Sequence, residues 1–143
     1  MPTLTYIIAC PLFAALILAF VPRSFRVVLR GVAVGATLLS ALLALVIFVE
    51  FNAAAAGPTG FKFEHQIPWV ESLGISYHVG VDGINIGLLL LAAVVAFAAA
   101  CVSWEITDRE KEFYILLLVM AGGIVGAFAS LDLFFFFFFH ELA

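Results

Sequence analysis

The sequence predicts an all-α membrane protein, a polytopic helical bundle with four full transmembrane helices and the start of a fifth. Two observations carry this reading. Of 143 residues, 66% are hydrophobic and 11% charged, with a mean hydropathy of +1.25, whereas soluble domains run at about 45–50% apolar and about 25% charged. Such a chain cannot cover a water-facing globule with polar side chains, which excludes a soluble enzyme. In addition, the stretches 4–21, 31–49, 84–104 and 113–131 are free of charged residues. Each approaches the roughly 20 residues that a helix needs to cross about 30 Å of hydrocarbon. Six Lys and Arg against ten Asp and Glu give a formal net charge of −4, with no basic cluster to neutralise a phosphate backbone, so nucleic-acid binding is excluded as well.

In chain order, the first span is not a secretory signal, because no Lys or Arg precedes Arg23 and the charged leading region is missing. Pro11 lies inside it, where loss of one backbone hydrogen bond predicts a packing kink. Arg23, Arg26 and Arg30 lie between the first two spans, Arg109 and Lys111 between the third and fourth, and Lys62 alone in the long loop 52–83. Basic residues mark the cytoplasmic side, which places the N-terminus, the loop 52–83 and the turn 130–132 outside. Turn punctuation at Gly57-Pro58 and Asp82-Gly83, with Trp69 and Tyr77, predicts a loop lying on the membrane surface. Its His65 and His78 have no neighbouring ligand cluster, so no metal site is expected. Trp104 fits an interfacial aromatic at a span end.

Thr107-Asp-Arg-Glu110 has the spacing of a capping box at the head of the fourth span. Small residues four apart, Gly31 and Gly35, Ala92, Ala96 and Ala100, and Gly122 and Gly126, predict closely packed helices. Cys10 and Cys101 stand alone in apolar runs and read as small hydrophobes. The fifth run, 133–143, rises only about 16 Å as a helix, half the depth of a membrane, so the chain reads as the front of a longer protein. Within it, Phe134 to Phe139 are apolar on every helical face, and periodicity cannot say which side meets lipid.

One carboxylate falls at membrane depth. Glu141 stands nine residues after Asp132, about 13.5 Å along a helix, where a charge costs on the order of 3 kcal/mol and by default marks function. A carboxyl held between desolvation and a neighbouring cation loads and releases a proton, and the spans offer no such cation. The competing reading is a neutral buried hydrogen bond. His140 is adjacent but turned about 100° around the helix, so a direct pair is not implied; it is a candidate relay or a packing residue.

The segment Ile75-Ser-Tyr-His-Val-Gly-Val-Asp-Gly-Ile-Asn-Ile-Gly87, then Arg109-Glu-Lys-Glu-Phe-Tyr114, then Ser130-Leu-Asp-Leu-Phe-Phe running into His140-Glu141, resembles the M subunit, or chain 4, of the NADH-quinone oxidoreductases, respiratory complex I. The resemblance extends over essentially the whole chain. It implies the front part of an antiporter-like fold of roughly fourteen helices with inverted repeats and broken helices. It implies a proton-translocating membrane subunit of the bacterial cytoplasmic (inner) membrane, partnered by other membrane subunits of complex I and the lipid bilayer. NADH, flavin, iron–sulfur clusters and quinone are then expected on partner subunits, with no cofactor and no redox chemistry on this chain. Glu141 falls where the family has a membrane-embedded glutamate coupled to a lysine of a later helix, beyond residue 143. Six consecutive phenylalanines are a more extreme run than the family usually shows. Two alternatives remain, a subunit of a multi-subunit cation/proton antiporter and a purely structural membrane subunit; the wording of residues 77–85 favours complex I over the antiporter.

Overall fold

The computed structural model describes residues 2–143. Five helices form the body: α1 (Thr3–Phe20), α2 (Arg26–Glu50), α3 (Asn85–Val102), α4 (Glu110–Ala129) and α5 (Leu133–Leu142). The first four, α3 with its 3₁₀ extension to Glu105, are long and apolar enough to cross a membrane. Two of them start earlier than the apolar runs. α2 begins at Arg26 and α4 at Glu110, because straight-chain charged residues are good helix formers and the charges of the two first turns meet one another. α1 continues through Pro11. At the head of α3, Asp82 Oδ1 accepts from the amides of Ile84 and Asn85, both at 2.8 Å, and Asn85 Oδ1 accepts from the Asp82 amide at 2.6 Å, a reciprocal closure of orphan donors.

The capping box expected at 107–110 does not form. Arg109 occupies the cap position in the left-handed region, φ +50°, with no side-chain hydrogen bond to the first turn. The Glu110 side chain turns into the bundle to meet arginines of α2 instead.

The loop 52–83 is not irregular throughout. It contains an antiparallel hairpin of β1 (Lys62–Val70) and β2 (Ile75–Val81), with Gln66 opposite His78 and Ile67 opposite Tyr77. A 3₁₀ turn (Glu71–Leu73) and Gly74, at φ +68°, reverse the chain, a conformation that suits glycine because it has no Cβ. Val79 and Val81 of β2 are fully buried against the helix ends.

The bundle core has two parts. One, nearer the hairpin, joins Leu4, Ile7, Ala44, Ile47, Leu89, Val125, Phe135 and Phe139. The other, nearer the arginines, joins Leu18, Leu29, Ala33, Ala100, Tyr114 and Leu118. Among the predicted small-residue contacts, α4 makes its own: a Cβ on Gly126 would lie 2.5 Å from the Phe139 ring, and one on Gly122 2.6 Å from the Leu12 side chain. Gly31 and Gly35 do not, since a Cβ there meets nothing within 4 Å. The outside of the helices is apolar, with Phe20, Val27 and Val102 about four-fifths exposed, as suits a lipid-facing surface.

Candidate functional site

The site is built around α5 and the turn that leads into it. Asp132 caps the helix: its Oδ1 accepts from the amides of Phe134 at 2.9 Å and Phe135 at 3.3 Å, satisfying donors that a helix start leaves free. From there the phenylalanine run is sorted by packing. Phe135 and Phe139, four apart and so on one face, are buried. Phe135 meets the Tyr77 ring edge-on at 5.5 Å and the Trp69 ring at 5.2 Å, while Phe139 lies over the bare backbone of Gly126. Phe134, Phe137 and Phe138 stay exposed.

Glu141 lies two residues past Phe139, about 200° further round the helix, and so faces away from the other helices. Its side chain is 83% exposed and borders an apolar groove with Phe134, Phe137, Phe138 and Leu142. Among the described residues, no lysine or arginine pairs with it. His140 comes closer than its position around the helix implies, with Nδ1 3.9 Å from Glu141 Oε1, a gap too long for a hydrogen bond. The His140 ring also lies 6.1 Å from that of Phe136.

The hairpin end supplies the polar framework. His78 Nε2 lies 2.7 Å from Glu64 Oε1 across the strands, and Glu64 Oε2 accepts from the Thr59 amide at 3.2 Å. Burial pushes the Glu64 carboxyl up, but the bonds from His78 and Thr59 outweigh it and hold the group below its ordinary value. Tyr77 donates to Thr5 Oγ1 at 3.1 Å, fastening β2 to the start of α1, and burial raises its phenol. His65 stands edge-on to Tyr77, its Nδ1 buried without a hydrogen-bond partner.

The opposite end holds Glu110, whose spacing from Thr107 suggested a cap, among the basic residues that mark this side. Glu110, 5% exposed, pairs with Arg30, and Arg26 Nε lies 3.7 Å from its second oxygen. Arg23 pairs with Glu112, Lys111 Nζ donates to the Ala19 carbonyl at 2.8 Å, and the Arg30 guanidinium sits over the Trp104 ring at 5.3 Å. The four-residue spacing of Arg26 and Arg30, one helical turn, was the available signal. Cys10 donates to the Ala36 carbonyl at 3.5 Å, and Cys101 is exposed.

No family model matches the chain. Curated relatives do, over nearly its whole length. The chloroplastic NAD(P)H-quinone oxidoreductase chain 4 of Chara vulgaris is 38% identical over 144 residues, covering 99% of this chain and 28% of that protein. Chain 4 proteins of Picosynechococcus and Synechocystis are 33% and 32% identical, covering 99% of this chain and 26% and 25% of theirs. The chain thus spans about a quarter of the length of the relatives it matches. By sequence, its homologues are NAD(P)H-quinone oxidoreductase chain 4 proteins, and the chain aligns with a part of them.

Proposed function

We propose that this chain is part of a proton-translocating membrane subunit of a NAD(P)H-quinone oxidoreductase, in which Glu141 takes up and releases protons while quinone is reduced on partner subunits. The observation that carries the proposal is the carboxylate on the outward, phenylalanine-lined face of α5, away from any cation among the described residues. In hydrocarbon such a group is tolerated neutral, or ionised beside a cation, and the two states differ by one proton. The cation belongs, in this reading, to a lysine outside the span this chain covers. His140, 3.9 Å away, is the candidate relay.

The redox groups belong to partner subunits in this proposal. Cys10 and Cys101 stand on separate helices and do not make a cluster ligand set. The end carrying Arg23, Arg26, Arg30, Arg109 and Lys111 faces the cytoplasm of a bacterial inner membrane, with the N-terminus and hairpin outside. The reading is tested by tagging the full-length protein in its native membrane and purifying it gently. NAD(P)H:quinone activity and bound flavin should co-purify, and the reconstituted material should move protons when it oxidises NAD(P)H. Recovery of antiporter-like subunits alone, without that activity, contradicts it.

A further inference from the structure

The turn between α4 and α5 is held by the hairpin. The Leu131 amide donates to the His78 carbonyl at 2.8 Å, and Ser130 pairs with Val79 in one isolated antiparallel bridge, so the turn is pinned to β2. One residue further, the Ser76 amide donates to Asp132 Oδ2 at 3.1 Å, while Oδ1 caps α5 through Phe134 and Phe135. Both oxygens of Asp132 are therefore acceptors, one for the hairpin and one for the helix. An asparagine has a single acceptor oxygen and would set its NH₂ against one of these N–H donors.

A hydrogen-bonded pair lies beside this junction. The groups around His78 are Glu64 from β1 at 2.7 Å and Asp132 from the turn, whose carboxylate its charge favours. Gln66, opposite His78 in register, is neutral and donates to Ser76 Oγ at 3.1 Å. Lys62 is drawn off to the Phe51 carbonyl at 2.6 Å, and His65 faces the Tyr77 ring.

We propose that Asp132 is a positioning residue for Glu141: bonded to both the hairpin and α5, it sets the rotation and depth at which α5 presents Glu141. α5 is ten residues long and hydrogen-bonded throughout, so a change at its first turn is carried as a rigid movement about 13.5 Å to Glu141. This inference rests on the proton role proposed for Glu141.

The test uses the full-length protein in its assembled complex. Asp132→Asn and Glu141→Gln are compared for protons moved per NAD(P)H oxidised, and for amide exchange at Phe134 and Phe135. Ser76→Pro, which removes the donor to Oδ2 along with the hydroxyl that accepts from Gln66, serves if Asp132→Asn fails to assemble, with Ser76→Ala, which removes the hydroxyl alone, as its control. Asp132→Asn or Ser76→Pro should lower the proton yield several-fold with quinone reduction retained, and Asp132→Asn should speed exchange at Phe134 and Phe135 about five- to tenfold. If the junction variants speed exchange yet keep an unchanged proton yield, the positioning role is overturned. Normal pumping by Glu141→Gln overturns instead the proton role itself, whatever the junction variants do.

Discussion

The Arg30–Glu110 pair shows how one side chain decides the inner end of the bundle. Arg30 is 16% exposed and Glu110 5%, so removing either partner leaves a charge out of water, which costs about 3–5 kcal/mol. Glu110→Ala should therefore lower the thermal stability of the detergent-solubilised protein sharply, and Arg30→Met with Glu110→Leu should recover much of the loss; a fluorescence melt distinguishes them. At the other end, Asp132 and Glu64 are both held below their ordinary values. For Asp132, burial pushes up, and the amides of Ser76, Phe135 and Phe134 and the His78 charge more than offset it. Carboxyls depressed by folding stabilise above their unfolded pKa, and the contribution is lost as pH falls through the folded value. The hairpin junction should thus be intact at neutral pH and open below the ordinary carboxylate range. Amide exchange at Ser76, compared at neutral and strongly acidic pH, checks this, and equal protection would refute it. The pairing of Glu110 was hidden in the sequence because Thr107-x-x-Glu110 also spells a cap; only the meeting of α2 with α4 decides between them.

Among the elements, α4 is the helix whose small residues matter. A Cβ on Gly123 would lie 2.9 Å from the Phe139 carbonyl and the Ala143 amide, which are backbone, whereas one on Gly122 meets the movable Leu12 side chain. Gly123→Ala should push α5 outward at about 1–3 kcal/mol, with Gly122→Ala milder; cross-linking between α4 and α5 reads the difference. The helices were legible because charge-free runs of that length leave little choice, and the start of α5 because Asp132 precedes the apolar run. The hairpin was not. Pro68 interrupts β1 and its residues alternate poorly, which demotes a strand signal, and pairing to β2 is settled by tertiary contact. Nor was the sorting of Phe134 to Phe139 legible: six identical side chains carry no periodicity, and Gly126 and Tyr77, distant in sequence, choose Phe135 and Phe139 for burial.

At the scale of the molecule, the chain has two chemically distinct ends. Five of its six basic residues gather at one, tied through Arg23–Glu112, Arg30–Glu110 and Lys111, and the hairpin, Thr5 and Asp132 gather at the other. The expected sidedness follows from this distribution. A cysteine at Arg109 should react with an impermeant thiol reagent only from the cytoplasmic side and one at Thr59 only from outside, in a background lacking Cys10 and Cys101. Glu141 was legible as a candidate from its distance to Asp132 alone. Its outward orientation was not, since that depends on which phenylalanines pack inward.

The most direct measurement is proton movement by the full-length protein carrying Glu141→Gln, assayed in the assembled complex during NAD(P)H oxidation. Gln keeps hydrogen-bonding capacity and loses titration, so the account predicts an assembled complex that reduces quinone with little or no proton translocation. Proton movement at the normal rate, with assembly intact, would contradict it.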